Sequence, residues 1–311
     1  MSKARLALAD GLVFEGKAFG AKGERTGEVV FNTSMLGYQE ILTDPSYVGQ
    51  ILTMAAPEMG NVGVNRLDEE SKKPHPVGMV VRSLTETPSN WRSESDLSGF
   101  LAHHGVVGIS DIDTRKLVRH LRTTGAQMGV ISTEPLSNLA LVEKARTSPG
   151  MEGQDLASGI SCKSPYVFTE GSGAPLGGHA PKVELVHHVV AYDFGLKKAM
   201  LQLLVDRGCK ITVVPAHTPA SDVLAMRPDG VFLTNSLRFI RPVTALDQQP
   251  LPQADLAPLV QALCEAARAS ADAAEAAHLA RPIDGLHTHH FHAKHELDRS
   301  AHLGTRGVAT N

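Results

Sequence analysis

Residues 188–235 leave the chain the least freedom. The run from His188 to Phe194 is mostly apolar and rich in β-formers, as a strand is when both faces of its sheet are covered. Residues 197–206 predict a helix with Met200, Leu203 and Leu204 facing inward, and Gly208 lies just past its end. A second strand is predicted over 211–214. Thr218 and Pro219 make an N-cap and first-turn pair for a short helix through Met226, and a third strand covers 230–234. Strand–helix–strand–helix–strand at this spacing predicts a right-handed parallel α/β layer. Ligands of such layers bind beyond the carboxyl ends of the strands, and Asn235 stands at such an end.

The residues before this segment follow another pattern. Residues 4–19 predict a hairpin, because Asp10-Gly11 separates two β-prone runs. Further strands are predicted over 28–31, 51–54, 77–81, 106–109 and 127–132. Ser93 or Ser95 can cap a helix over 96–104. Thr114 can cap one over 115–122, with Leu117, Val118 and Leu121 on one face and Gly125 past its end. Residues 138–147 read as one more helix, with Leu139, Leu141, Val142 and Ala145 as its apolar positions. Residues 148–181 are rich in Gly, Ser and Pro and read as a linker that holds the domain boundary. The expected organisation is a β-rich domain over 1–135, helix and linker over 136–187, an α/β segment over 188–235, and a remainder over 236–311.

Within the first domain, residues 31–50 fit no simple period. Asn32, Thr33, Ser34, Gly37, Tyr38, Gln39, Thr43, Asp44 and Ser46 stand among few apolar anchors. A half-buried strand would alternate and a core helix would show a 3.6-residue stripe. The stretch therefore reads as a shaped surface. In Thr43-Asp44-Pro45-Ser46-Tyr47, Pro45 fixes φ and can hold a turn that either is capped by Ser46 or presents its hydroxyl. Asp111, Asp113, Thr114 and Arg115 read as a structural helix-start network.

This stretch, together with GNVGVN at 60–65, DIDTRKL at 111–117, GAQMG at 125–129 and HVVAYDFGLKK at 188–198, closely resembles the small, glutaminase subunit of carbamoyl-phosphate synthase. The resemblance runs from about residue 4 to 235. It implies an α/β protein: a β-rich N-terminal domain followed by the start of a parallel-sheet class I glutamine amidotransferase domain. It also implies a cytoplasmic enzyme subunit serving pyrimidine and arginine synthesis, with no cofactor of its own. The implied partners are glutamine and a large subunit that receives the ammonia. Ser46 matches the serine of the T-D-P-S-Y motif that reaches the bound glutamine.

In that family a cysteine on a tight G-x-C-x-G elbow attacks the glutamine carboxamide, and an H-x-E pair completes the triad. The thiol must be held as thiolate and backbone N–H groups must cradle the oxyanion. The sequence departs from this pattern at Asn235. The family's Gly-Pro-Gly-Asp-Pro loop is replaced by Ser236, Leu237, Arg238, Phe239 and Ile240. Arg238 puts a long side chain where backbone should approach the substrate. No G-x-C-x-G occurs in the chain, and no H-x-E follows Asn235. Cys264 lies mid-helix in a run whose Leu256, Leu259, Val260, Leu263 and Ala267 form an amphipathic face. No catalytic residue is therefore assigned. Residues 236–311 show no Val/Ile-rich strand and read as a frame-shifted or recombined ending.

Seven of the fifteen histidines fall in the last 71 residues, and His287, His289, His290, His292 and His295 are dense enough to bind Zn²⁺ or Ni²⁺ adventitiously. A solvated tail is the expected state, and no metal site is assigned. A net charge of −3 gives no electrostatic case for nucleic acid or an anionic membrane. No apolar run reaches the ~18 residues of a membrane span. Cys162, Cys209 and Cys264 lack metal-ligand spacing and suit a reduced compartment.

Overall fold

The computed structural model describes residues 2–173 and 183–235 and the backbone strands Phe239–Pro242, Ala245–Leu246 and Gln249–Pro250. The chain divides into two compact units, Met1–Leu156 and Ala157–Asn311. The division falls inside the Gly/Ser/Pro-rich stretch. The helix read at its start belongs with the first unit.

The first unit is a closed seven-stranded barrel. Strand β1 (Lys3–Leu8) and β2 (Val13–Gly20) form the hairpin about Asp10-Gly11, with Ala7 opposite Val13. They are followed by β3 (Glu24–Asn32), α1 (Tyr38–Leu42) and β4 (Gln50–Met54). Next come β5 (Glu58–Met59), β6 (Gly78–Val80), β7 (Ser83–Leu84), α2 (Leu97–His103) and β8 (Val107–Ser110). The unit ends with α3 (Thr114–Thr124), β9 (Gln127–Ser132) and α4 (Asn138–Thr147). Around the barrel the order is β1-β2-β8-β6-β4-β3-β9, and β9 closes onto β1. The β3–β4, β4–β6 and β6–β8 pairs are parallel.

Burial follows from that pairing. Antiparallel β2 mixes buried and exposed positions, whereas Ile51 to Met54 of β4 are all buried. One core joins Leu6, Leu8, Val29, Ile51, Ile109 and Ile131 with Leu117 and Leu121 of α3. Leu52, Met54 and Met79 lie in a second core with Tyr38 and Leu42 of α1 and Leu97 and Leu101 of α2. Ala7 and Val130 pack with Leu141, Val142 and Ala145 of α4, while Leu139 is 84% exposed and takes no part.

The caps differ from those the sequence suggests. Asp96, not Ser93 or Ser95, caps α2 by accepting from Gly99 N at 2.8 Å. Asp113, not Thr114, caps α3 by accepting from Lys116 N at 2.9 Å. Thr114 is the buried first residue of that helix. Asp and Thr are both good N-caps, so the order Asp-Thr leaves the choice to burial.

The second unit holds α5 (Ala157–Ile160), β10 (Tyr166–Phe168), β11 (His187–Asp193), α6 (Lys198–Val205) and β12 (Cys209–Pro215). After these come α7 (Ala220–Ala225), β13 (Gly230–Asn235) and β14 (Phe239–Pro242). The sheet order is β10-β12-β11-β13-β14. Strands β12, β11 and β13 are parallel; β10 and β14 are antiparallel to their neighbours. Helix α6 packs Leu201, Leu204 and Val205 on one face of the sheet, with Val189, Ile211 and Val213. Helix α7 packs Ala220 and Val223 on the other, with Val190 and Val214.

Three expectations are corrected here. The buried residues of α6 are Leu201, Leu204 and Val205; Leu204 is inward as expected and Leu203 packs half-buried against the same core, whereas Leu201 and Val205 take the place expected of Met200. Pro219, not Thr218, is the N-cap of α7, and Thr218 Oγ1 instead donates to Pro215 O at 2.8 Å. The sequence gives no strand beyond Asn235, yet β14 and the short pair Ala245–Leu246 and Gln249–Pro250 follow.

Candidate functional site

The aperiodic stretch is held by side chains rather than by a repeating ladder. Strand β3 ends at Asn32, whose Oδ1 accepts from Ser34 N at 2.8 Å and whose Nδ2 donates to Tyr47 Oη at 2.9 Å. The chain then runs exposed through residues 33–36, with Met35 at 78% and Leu36 at 75%. Gly37 takes φ 75°, which a Cβ would strain, and starts α1. Helix α1 is five residues long and buries Tyr38, Gln39 and Leu42. So short a helix is marginal alone and depends on those tertiary contacts.

Those contacts reach the second quoted motif. Tyr38 Oη donates to Gly63 O at 2.5 Å, and burial pushes its hydroxyl pKa up to about 12. Gln39 Nε2 donates to Asn65 O at 2.6 Å while Gln39 Oε1 accepts from Asn65 N at 2.9 Å. Asn65 Oδ1 accepts from Leu67 N at 2.9 Å, and its Nδ2 donates to Asp68 Oδ2 at 2.8 Å. Arg92 then grips Asp68 through both carboxylate oxygens, at 3.1 and 2.9 Å. GYQEIL and GNVGVN, separated by nearly twenty residues, are thus one hydrogen-bonded body. Glu40 beside them has its carboxyl pushed up by burial and by the charges of Asp68 and Glu70, partly offset by its own backbone N–H and Arg92.

Thr43 and Asp44 turn the chain toward Ser46. Thr43 Oγ1 donates to Gln39 O at 2.8 Å and accepts from Glu70 N at 2.9 Å. Asp44 caps a single 3-10 turn, Pro45–Tyr47, by accepting from Ser46 N at 2.9 Å. The cap is therefore Asp44, and Ser46 sits on the turn with its side chain exposed. Ser71 Oγ donates to Thr43 O at 2.7 Å and meets His75 Nε2 at 2.8 Å. Burial and then Lys73 push the His75 pKa down, partly offset by Asp44.

The other motifs are structural anchors. Asp111 takes φ 63° and pairs with Lys17 at 2.7 Å on the surface. Gln127 donates to Asp10 Oδ2 at 3.1 Å, tying the hairpin turn to β9. In the second unit Asp193, at the end of β11, is 8% exposed. Its Oδ1 accepts from Gly195 N and Leu196 N at 3.0 Å, and its Oδ2 accepts from Cys162 N at 2.7 Å. Burial, with the Asp193 charge, pushes the Cys162 thiol up to about 11, and burial does the same to Cys209. Both shifts favour the neutral thiol over the thiolate. A cavity of about 450 Å³ beyond the carboxyl end of β12 is lined by Ser158, Ser161, Cys162, Lys163, His217 and Thr218.

Among the described residues no group of three or more His, Cys, Asp or Glu is placed to hold a metal. None of their helices is long and apolar enough to cross a membrane. Ser236, Arg238, Cys264 and the histidines at 287–295 lie outside the described residues.

Residues 6–131, which span the barrel, match the family model of the carbamoyl-phosphate synthase small chain, CPSase domain. The carbamoyl phosphate synthase small chain of Syntrophotalea carbinolica is 57% identical over 234 residues. Over residues 6–131 the chain carries the CPSase domain of the carbamoyl-phosphate synthase small chain. The Syntrophotalea alignment covers 75% of this chain and 62% of the relative. The Escherichia coli (strain K12) small chain is 54% identical over 240 residues, 76% of this chain and 63% of that one. The chain thus spans a little under two thirds of the small chains it matches, and the matched lengths agree with a resemblance that stops near Asn235. Among solved structures, an aminopeptidase from Aneurinibacillus sp. strain AM-1 aligns at a TM-score of 0.26 and 10% identity, over 69% of this chain and 48% of that one. A likeness of that size carries no argument. Met35, Leu36, the Gln39–Asn65 pairing and the Asp68–Arg92 grip were not singled out by sequence reasoning. The aperiodic polarity of residues 31–50 marked Gln39 but not its partner.

Proposed function

We propose that this chain is a glutaminase-type small subunit of carbamoyl-phosphate synthase, which would supply ammonia from glutamine to the large subunit, and that it is defective in that hydrolysis. The family reaction passes ammonia from a cysteine thioester to the large subunit, which makes carbamoyl phosphate. The observation that carries the reading is the course of the chain at Asn235. Strand β13 ends there, and β14 returns antiparallel after residues 236–238. A reverse hairpin at that point supports the absence of the glycine loop and of the elbow that would follow it. Cys162 and Cys209, the cysteines among the described residues, are held protonated.

On this reading the second unit is the start of an amidotransferase domain, with helices on both faces of a parallel sheet. Ser46 is the glutamine contact retained from the family, and its exposed place on a proline-fixed turn suits that role. The setting is cytoplasmic, in pyrimidine and arginine synthesis, with no cofactor in this subunit. A second reading, a purely non-catalytic docking module, is favoured by the completeness of the first unit, whose barrel closes on itself. The test is ammonia release from glutamine by the purified chain and by a Cys264→Ser variant. Both are expected at the background rate. Release by the first that disappears in the second would overturn the proposal.

A further inference from the structure

A three-stranded parallel sheet has two edges, and each is a template for another strand. In the second unit neither edge of the parallel trio is open. Strand β10 pairs antiparallel with β12 through Tyr166 opposite Val213, Val167 opposite Thr212 and Phe168 opposite Ile211. On the far side β14 pairs antiparallel with β13, from Phe232 opposite Pro242 to Asn235 opposite Phe239. Strand β11 covers β13 only over Gly230, Val231 and Phe232. Among the described residues, β14 is therefore what covers Leu233, Thr234 and Asn235.

A parallel sheet growing by strand–helix–strand units would add its next parallel strand on that edge of β13. Here the chain fills the position itself, with no crossover. Its residues also suit the outermost place. Phe239–Pro242 reads FIRP, and a charged residue and a proline are two devices that blunt an edge against further pairing.

We propose that β14 is a self-supplied edge strand that seals the sheet at β13, so that the second unit is not completed by a strand from another polypeptide. This goes beyond the proposed function. A sealed edge would stand even if glutamine hydrolysis were found, and the test below does not read activity.

The register supplies a discriminating pair of variants. Pro242 has no N–H, which places Phe232/Pro242 in the non-hydrogen-bonded set. Because the sets alternate, Leu233/Arg241 and Asn235/Phe239 exchange hydrogen bonds, and the Ile240 N–H points away from β13. Arg241→Pro removes a bond to β13, whereas Ile240→Pro removes an outward N–H.

The experiment is amide hydrogen exchange on the full chain, following residues 230–235 with 187–193 as the internal reference. In the unmodified chain the Leu233 and Asn235 amides, which face β14, are expected to be protected. In Arg241→Pro their exchange should rise by roughly tenfold, the scale of losing one hydrogen bond, while 187–193 is unchanged. In Ile240→Pro it should stay within roughly twofold. Unprotected Leu233 and Asn235 amides in the unmodified chain, or equal effects of the two prolines, would overturn the proposal. Loss of protection at 187–193 as well marks a variant whose sheet has not formed. Arg241→Ala, which keeps the backbone N–H and should retain full protection, then decides: lost protection at Leu233 and Asn235 in that variant contradicts the seal.

Discussion

Replacing Gln39 with leucine is expected to lower the stability of the first unit by about 2–4 kcal/mol, as two buried polar groups each lose their partner. The side chain is 3% exposed and bonds the Asn65 backbone in both directions, at 2.6 and 2.9 Å. Leucine has nearly the same volume, so little cavity term is added. The cost comes from the Asn65 N–H and C=O, which stay buried with nothing in their place. The damage should extend to the loop, since Asn65 also organises Leu67 and Asp68. Urea unfolding followed by far-ultraviolet circular dichroism measures this. Gln39→Glu serves as the comparison: it keeps the acceptor for Asn65 N, while the ionised form loses the donor and adds a buried charge. A Gln39→Leu midpoint equal to the original would mean that the two motifs do not support one another.

A second large effect is expected at Gly16, in the middle of β2. A Cβ there would lie 2.1 Å from the carbonyl oxygen of Ser110 and 2.8 Å from Cγ2 of Ile112. The obstacle at 2.1 Å is backbone of β8, the neighbouring strand in a closed barrel, and cannot swing aside as a side chain could. Gly16→Ala should therefore reach or pass the upper end of the ~1–3 kcal/mol range for overpacking, despite the gain alanine brings by restricting the unfolded chain. Gly23→Ala meets nothing within 4 Å. Its φ of 111° makes it a strain-only comparison, expected to cost less than Gly16→Ala. Thermal or urea midpoints of the two variants decide the order.

Much of the local structure can be read directly from the residues. Asp10-Gly11 between apolar runs specifies its hairpin, and Gly125 and Gly208 end their helices with φ near 89° and 81°. Residues within one element interact over short chain distances, so their pattern is local. The barrel is not legible in this way. Its parallel β3-β4-β6-β8 run joins strands separated by loops and helices, and nothing local says which edge meets which. Cap choice fails for a related reason. Asp113 and Thr114 are both local candidates, and in the folded barrel Asp113 takes the cap while Thr114 is buried.

The candidate site divides similarly. The aperiodic polarity of residues 31–50 marks a shaped surface, but its support comes from Asn65, Asp68 and Arg92, which are remote in sequence. Strand β14 escaped notice because residues 236–250 lack the Val- and Ile-rich run of a central strand. An edge strand needs no such run and tolerates the Arg241 and Pro242 found there.

The proposed docking of this chain without a working glutaminase is tested with a large chain from one of its relatives. The two are mixed, their association is measured by gel filtration with light scattering, and carbamoyl phosphate is assayed with either ammonium or glutamine as nitrogen source. The account predicts a stable complex that makes carbamoyl phosphate from ammonium and none above background from glutamine. Failure to associate, or product formed from glutamine, would contradict it.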